Sequence, residues 1–394
     1  MTPGQDSDSP FSADEYRERT ERTRRAMESR GVGVLLACDP ANINYLTGYD
    51  GYSFYVHQAV IVFQDEEWPL WVGRAQDVNG ARFTSILPRD RLLGYPDDYV
   101  QAVDRHPMEF ICALLRERGR RGAIGVDSDD FYFTGKSLDV LRARSGAEVV
   151  DTGPLVNWVR CIKSSREIEY IEQAARISEL TMDKALETIE PGVRQCDVAA
   201  RILETQVAGT LEFGGDYPAI MPLMPTGETT TCPHVTWRDR PFESNGASVV
   251  EISGVRHHYH APLTRTVYLG TPPDEMLRAA DVIVQGIDEA LSSARAGALA
   301  RDVHAAWNGV INKHGIHKDS RCGYSIGLGY PPDWGERTVS LRPGDETELA
   351  PNMTLHFMPG IWMKDWGISI SETIRITSSG AVPLCDFPRR LFTK

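Results

Sequence analysis

Hydrophobic and polar positions in the first 160 residues alternate between helical and strand-like periods. Ser12 and Glu15 have the spacing of a capping box, which predicts a charged helix running to about Ser29. A second helix is predicted at 108–118. Short apolar runs bounded by turn residues predict strands at 32–38, 57–63, 68–72 and 123–126, the middle two as a hairpin or as neighbours. This order of elements predicts an α/β domain that covers 1–160.

A long helix is predicted to open a second domain, which begins near Cys161 and covers 161–394. Ser164 and Glu167 form another capping box, and Pro191-Gly192 stops the helix. Between them, apolar residues recur at helical spacing: Ile168, Ile171, Ala174 and Ile177.

The second domain contains an internal repeat. Gly192, four residues and Asp197-Val-Ala-Ala return as Gly297, four residues and Asp302-Val-His-Ala-Ala. Each copy follows a predicted helical stretch and precedes a β-rich segment, so we predict a duplicated half-domain with pseudo-two-fold symmetry. The alternative is chance similarity between two helix starts. If the duplication is real, an active site is expected between the two sheets.

Composition and charge narrow the function classes. The net charge is −13, which argues against nucleic acid or an anionic membrane surface as a partner. No apolar run of about 18 residues is present, and the polar segment 1–10 has no apolar signal core, so we predict a cytoplasmic protein. The seven cysteines are scattered without a CxxC pair, which favours reduced thiols over disulfides or structural zinc.

Four segments of the second half resemble the creatinase/aminopeptidase P family, whose catalytic domain has the "pita-bread" fold. They are VVEISGVRHHYHAPLTRTVYLG at 249–270, GYSIG at 323–327, FMPG at 357–360 and GISISETIRIT at 367–377. The resemblance runs from about residue 160 to the end. It implies an α/β creatinase-like N-terminal domain followed by an α+β pita-bread domain with an internal pseudo-two-fold repeat.

The metal-binding residues of that family are mostly replaced. Its metal-dependent members hold two divalent cations with two Asp, one His and two Glu. Carried over one by one, these positions are Glu251, Pro262, Tyr324, Met358 and Ser371. Only Glu251 is a carboxylate, and a shift by one residue to Glu372 would leave two carboxylates at best. We therefore predict that no metal and no other cofactor is bound.

Loss of the metal suits a cationic substrate. A neutral peptide carbonyl needs a Lewis acid, whereas a guanidinium or amidinium carbon already carries positive charge and would be repelled by a dication. Creatinase, a metal-free relative, acts on such a carbon, and the resemblance places its catalytic histidine at His234. Glu251, on an apolar strand, is the predicted second catalytic residue. The alternatives are a structural role for His234 and an ordinary salt bridge from Glu251 to Arg265.

Finer motifs resemble the ectoine hydrolases, a branch of this family. They are GYDGYSFYVHQ at 48–58, RHPMEF at 105–110, CPHVTW at 232–237, GYPPDWGE at 329–336 and HFMPGIW at 356–362. The resemblance implies that ectoine, a small cyclic amidine, is opened by water to N-acetyl-2,4-diaminobutyrate. It also implies a homodimer and a functional link to a deacetylase that acts on the product.

A cationic amidine needs carboxylates and aromatic faces around it. The candidates for substrate contact are Tyr52, Phe54, Trp237, Tyr324, Trp334, Trp362 and Glu372. Tyr52 and Phe54 lie in the first domain, and the resemblance to this family implies that such a segment closes the pocket of a partner subunit. Which residue binds the carboxylate of the substrate stays undecided, as does the choice between a covalent and a direct hydration mechanism.

Other functions remain open at this stage. They are a creatinase-like hydrolase of another guanidine or amidine, a metal-dependent Xaa-Pro peptidase, and a binding protein without activity. The peptidase conflicts with the missing ligands.

Overall fold

The computed structural model describes residues 9–119 and 122–394. The chain divides into two compact units, with the boundary between Arg160 and Cys161. The sequence predicts no export signal in the polar segment 1–10. Residues 1–8 of that segment lie outside the described residues. Among the residues described, no helix combines the length and the hydropathy that a bilayer crossing requires.

The first unit is an α/β domain. Its helices are α1 (Ala13–Ser29), α2 (Pro40–Thr47), α3 (Val78–Thr84), α4 (Pro107–Glu117), α5 (Gly135–Ser145) and α6 (Leu155–Arg160). Its strands are β1 (Val32–Ala37), β2 (Ala59–Phe63), β3 (Leu70–Arg74), β4 (Leu92–Tyr95), β5 (Ala123–Val126) and β6 (Val149–Asp151). Each helix and strand predicted in this half is confirmed, with bounds that differ by one or two residues.

Local sequence accounts for where these elements begin and end. Ser12 caps α1, because its hydroxyl accepts a hydrogen bond of 3.2 Å from the backbone N–H of Glu15. Asp39 caps α2 in the same way, and α2 ends at Gly48, whose φ of 75° is in the left-handed region that glycine adopts without strain.

The six strands form one mixed sheet in the order β4-β3-β2-β1-β5-β6. The pairs β1–β2 and β2–β3 are antiparallel, whereas β3–β4, β1–β5 and β5–β6 are parallel. The central strands β1 and β2 are buried on both faces, which is why they consist almost entirely of apolar residues.

The second unit repeats the order helix, helix, β-hairpin. Its helices are α7 (Ser165–Thr188), α8 (Gln195–Ala208), α9 (Asp274–Ser293) and α10 (Ala300–Lys313). Its strands are β7 (Gly246–Arg256), β8 (Tyr259–Leu269), β9 (Gly323–Tyr330), β10 (Asp333–Ser340), β11 (Thr354–Phe357), β12 (Gly360–Trp362), β13 (Gly367–Ser369), β14 (Glu372–Ile376), β15 (Ala381–Pro383) and β16 (Phe392–Thr393).

The predicted capping box and repeat are both present in this unit. Ser164 and Glu167 exchange the two hydrogen bonds that start α7. Gly192 and Gly297, the glycines of the repeat, have φ values of 87° and 84° and stand before α8 and α10. The order α7, α8, β7–β8 and then α9, α10, β9–β10 follows the predicted duplication.

One sheet joins the two copies. Its strand order is β15-β14-β11-β9-β8-β16, with β7 on β8 and β10 on β9, while β12 and β13 form a separate pair. Helix α7 packs directly on β7 at Gly254, where an added Cβ would lie 2.1 Å from the carbonyl oxygen of Ala174. Helices α9 and α10 pack on the second copy around Trp307 and Phe357.

Candidate active site

Glu251 lies in the middle of β7, with its side chain on the face of the strand turned away from α7. Side chains alternate along a strand, and Gly254, three residues on, faces α7. The backbone of Glu251 exchanges hydrogen bonds of 2.9 and 3.0 Å with Leu223. The side chain is 8% exposed. Within 9–119 and 122–394, its carboxylate accepts no hydrogen bond and has no cationic partner.

The environment of Glu251 raises the pKa of its carboxyl group above the ordinary value of a glutamate. Burial raises the pKa of its carboxyl group to about 7, and the negative charge of Asp333 also raises this pKa. Asp333 begins β10 and is half-buried. A carboxyl group with such a pKa ionises readily when a cation approaches, which is the behaviour expected of a functional residue.

Arg265 is not the partner of Glu251. Its Nη2 lies 2.8 Å from Oε1 of Glu372, and its guanidinium also donates to the carbonyl oxygens of Thr264 and Ser371. The proposed salt bridge between Glu251 and Arg265 is therefore absent. The carboxylate of Glu372 is bound to Arg265 and the residue is 1% exposed, and its contact with substrate stays a prediction.

Tyr324 is the centre of a buried chain of hydrogen bonds. Trp334 Nε1 donates to the Tyr324 hydroxyl at 2.9 Å, and Nδ1 of His356 lies 3.1 Å from the same oxygen. Nε2 of His356 lies 2.8 Å from the hydroxyl of Ser371, which accepts a hydrogen bond from the backbone N–H of Thr264. The chain joins β9, β10 and β11 of the second copy to β8 of the first.

The members of this chain are neutral near pH 7. Burial lowers the pKa of His356 to about 3, and the nearby cation of Arg321 lowers it as well. Burial raises the pKa of Tyr324 above its ordinary value, with further contributions from Glu251 and Asp333. If His356 carries its proton on Nδ1, the tyrosine oxygen accepts from both neighbours and keeps its own proton for another group. If the proton is on Nε2, the tyrosine donates to His356.

The family's five metal-ligand positions do not form a ligand set here. Pro262 and Met358 provide neither carboxylate nor imidazole. Tyr324 and Ser371 are both hydrogen-bonded to His356. In the described part of the chain, no group of three or more His, Cys, Asp or Glu side chains could hold a metal ion. The residues present therefore do not fit the dinuclear centre of the metal-dependent relatives.

His234 lies in an irregular segment that follows the 3-10 helix Gly227–Thr231, and its side chain is exposed. The segment is tied to the strand that carries Glu251: Met224 N donates to Val235 O at 2.9 Å, and Leu223 pairs with Glu251. The backbone thus connects the two predicted catalytic residues through two neighbouring hydrogen-bonded segments. A catalytic role for His234 stays a prediction.

The tryptophans predicted to contact substrate have different surroundings. Trp334 is fully buried and donates its ring N–H to Tyr324, and its contact with substrate stays a prediction. Trp237 is half-buried beside Arg238, whose backbone N–H donates to Gln195. Trp362 ends β12, next to the ammonium group of Lys318 at 4.6 Å from the ring centroid. Substrate contact by Trp237 and Trp362 stays a prediction.

Tyr52 and Phe54 belong to the first unit. Their rings lie 4.6 Å apart, and Phe54 also packs edge-on against Tyr132. Tyr52 is 66% exposed, which is unusual for an aromatic side chain. Their role in a partner's pocket stays a prediction.

Sequence reasoning did not single out Asp333, His356 and Arg321. The signal for the first two was present, since both lie in the motifs at 329–336 and 356–362. Each was passed over because its role depends on strand pairing: His356 lies opposite Tyr324 in the β9–β11 ladder, and Asp333 starts the strand that pairs with β9.

The chain belongs to metallopeptidase family M24. The model of that family matches residues 169–378, and the model of the creatinase/prolidase N-terminal domain matches residues 19–162. Among its relatives is the ectoine hydrolase of Halomonas elongata, which is 46% identical over 394 residues and 98% of each chain.

Solved structures confirm the predicted fold class. The dipeptidase PepE from Mycobacterium ulcerans superposes with a TM-score of 0.81 at 21% identity, covering 97% of this chain and 99% of that one. The prolidase from Pyrococcus horikoshii gives a TM-score of 0.79 at 21% identity, covering 95% and 100%. The fold is therefore a creatinase-like N-terminal domain followed by a pita-bread domain.

Proposed function

We propose that this protein is an ectoine hydrolase, which opens the cyclic amidine of ectoine with water to give N-acetyl-2,4-diaminobutyrate. The identity of 46% to the Halomonas enzyme of that name, over nearly the full length of both chains, supports the reaction. The site supports the same chemistry independently, because it presents carboxyl groups without a metal ligand set.

The observation that carries the proposal is the isolated carboxyl group of Glu251. It is buried, its pKa is raised to about 7, and within the described residues it lacks a counterion. An amidinium ion would supply that counterion, and its positive charge would lower the pKa of Glu251 and favour the carboxylate. The carboxylate then faces the electron-poor carbon between the two ring nitrogens.

Two mechanisms are compatible with this placement. In the first, an oxygen of Glu251 attacks the amidinium carbon, one C–N bond breaks as its nitrogen gains a proton, and water then cleaves the acyl-type adduct. In the second, Glu251 takes a proton from water while the hydroxide adds to the carbon, and the proton passes to the leaving nitrogen. Both consume one water and yield one amide and one amine.

The neighbours of Glu251 have distinct roles in either route. Tyr324 accepts from Trp334, and with the proton of His356 on Nδ1 it also accepts from His356 and can direct its own proton to a substrate nitrogen. His234 is proposed to transfer protons between the ring nitrogens and water. Because two of the five family ligand positions are Pro262 and Met358, we propose that turnover needs no metal ion.

The proposed function also bears on the oligomeric state of the protein and on its place in the cell. We propose a homodimer in which Tyr52 and Phe54 close the pocket of the partner subunit, because Tyr52 is 66% exposed and its ring lies 4.6 Å from that of the half-buried Phe54. We also propose that the protein works in the cytoplasm, in line with cysteines that are scattered along the sequence and form no CxxC pair. A deacetylase that uses the N-acetyl product is the expected functional partner.

Turnover of ectoine by the purified protein tests the proposal. Proton NMR should show loss of the ring signals and growth of an N-acetyl signal in equal amounts. Creatine and Xaa-Pro dipeptides serve as competing substrates. Hydrolysis of either of them without any hydrolysis of ectoine would replace the proposed function with another.

A further inference from the structure

Arg321 is an exposed cation in contact with the ring of Tyr324. The carbon of its guanidinium lies 4.3 Å from the ring centroid. The next residue, Cys322, is held between two strands by hydrogen bonds from its N–H to Leu341 and from Met358 to its carbonyl oxygen. The side chain of Arg321 therefore starts from a fixed point beside the site rather than from a free loop.

The guanidinium has no acidic partner in residues 9–119 or 122–394. An arginine without an acidic partner is unusual at this position, because the site contains the carboxyl groups of Glu251 and Asp333. Both groups raise the pKa of Tyr324, whereas Arg321 lowers it, so one tyrosine lies within range of two acids and one base. Arg321 nevertheless forms no salt bridge with Glu251 or Asp333.

We infer that Arg321 binds the carboxylate of the substrate and selects for cyclic amidines that carry one. This inference rests on the proposed function. Ectoine carries an amidinium and a carboxylate on a single ring, and the site holds the acids Glu251 and Asp333 within electrostatic range of Tyr324 and the guanidinium of Arg321 over the ring of that tyrosine. A guanidinium can donate two parallel hydrogen bonds to a carboxylate, and stacking on the tyrosine restricts its orientation.

The carboxylate does not change during ring opening, so its contact contributes equally to the ground state and the transition state. Loss of the contact is therefore expected in KM rather than in kcat. Replacement of Arg321 by Met should raise KM for ectoine about 10–100-fold, the effect of losing hydrogen bonds to a charged group. Arg321→Lys keeps the positive charge but not the planar guanidinium, so its KM for ectoine should lie between those of wild type and Arg321→Met.

The experiment compares ectoine with the same cyclic amidine without its carboxylate, in wild type, Arg321→Met and Arg321→Lys. Lys313→Met removes an equal charge from an exposed position and is the matched control. We expect wild type to prefer ectoine, and Arg321→Met to lose that preference while it keeps its kcat/KM for the amidine without the carboxylate. Where that compound turns over too slowly, its inhibition constant against ectoine takes the place of kcat/KM.

Several outcomes would overturn the inference. Equal losses on both compounds would mean that Arg321 acts through Tyr324 or through folding, and no loss on either would make it a surface residue. Wild type that treats both compounds alike would also exclude a carboxylate site, while amidine hydrolysis itself would stand. Failure of wild type to hydrolyse either compound would instead reject the proposed function, and the inference with it.

Discussion

Arg265 and Glu372 form an ion pair with 2.8 Å between Nη2 and Oε1, and both side chains are buried in the second unit. The nearest arginine on the strand opposite Glu251 is thereby committed to another carboxylate. Glu251 pairs with Thr264 across the β7–β8 ladder, and the side chain of Arg265 next to it serves the ion pair. The acid at the proposed reaction centre is thus left for a substrate cation.

Replacement of Glu251 by Gln should lower kcat by at least about 10³-fold, because either mechanism needs the carboxylate as nucleophile or base. Glutamine has nearly the same shape, so the fold should remain. Above pH 7 the variant should have a higher Tm than wild type, since a carboxyl group with a raised pKa destabilises the folded state once it ionises. Glu289→Gln, on the exposed side of α9, is the control for both measurements. An active Glu251→Gln enzyme would refute the assignment.

The two mechanisms differ in the fate of the Glu251 oxygens. A covalent route gives a substrate-sized mass increase on Glu251 during turnover, and it also transfers oxygen from ¹⁸O-water into Glu251 over many turnovers when water attacks the carboxyl carbon of the adduct. Intact-protein and peptide mass spectrometry measure both. We expect the mass increase or the label in the peptide that contains Glu251 if it is the nucleophile. Absence of both would support direct hydration.

The pH dependence of kcat/KM should show the ionisation of Glu251. With a pKa of about 7 in the free enzyme, kcat/KM should rise about tenfold per pH unit below pH 7 and level off above it. Asp333→Asn should move the midpoint to lower pH, because removal of a nearby negative charge makes the carboxylate easier to form. Asp274→Asn, at the exposed start of α9, should leave the midpoint in place. A profile flat from pH 5 to 9 would contradict this account.

Tyr324→Phe should lower kcat by about 10²–10⁴-fold with a smaller effect on KM, since it removes a positioned proton. Trp334→Phe keeps the tyrosine but removes one donor to its oxygen, so we expect a loss of about tenfold, consistent with one hydrogen bond. Steady-state kinetics separate the two parameters. Equal activity of Tyr324→Phe and wild type would exclude this hydroxyl from the reaction.

Chelation should not affect turnover. Among the ligand positions, Pro262 and Met358 cannot hold a hard cation, and the Tyr324 and Ser371 hydroxyls are engaged with His356. Protein treated with EDTA and checked by elemental analysis should keep its full kcat without stoichiometric metal. Activity lost on chelation and restored by Mn²⁺ or Zn²⁺ would contradict the prediction.

Mixed dimers should reveal a shared site. If Tyr52 closes the partner's pocket, a Glu251→Ala subunit combined with a Tyr52→Ala subunit contains one pocket with both residues intact. Verified heterodimers should therefore regain up to about half of the wild-type activity, whereas each variant alone should be impaired. Tyr55 is also exposed in the same segment, so Tyr55→Ala is the matched control. Heterodimers as inactive as their parents would place the site within one chain.

Much of the fold was determined by local sequence. The capping boxes at Ser12 and Ser164 predicted the starts of α1 and α7, because a cap satisfies backbone donors within one turn and needs no distant partner. The repeated glycine at 192 and 297 predicted the duplicated order of helices and hairpins. Glu251 could be singled out from sequence as a candidate, since an acid on an apolar strand is costly to bury unless it is paired with a cation or catalytic.

Tertiary structure decided which polar groups meet. Arg265 and Glu372 are 107 positions apart, and sequence could not show that they would pair with each other rather than Arg265 with Glu251. Trp334 was predicted to contact substrate because aromatic residues suit cations, yet strand pairing directs its N–H to Tyr324 and buries both of its faces. His356 joins Tyr324 and Ser371 only because β11 lies between β9 and β14. Hydrogen bonds and ion pairs depend on distances of a few ångströms, and strand register fixes these distances only when the sheet is assembled.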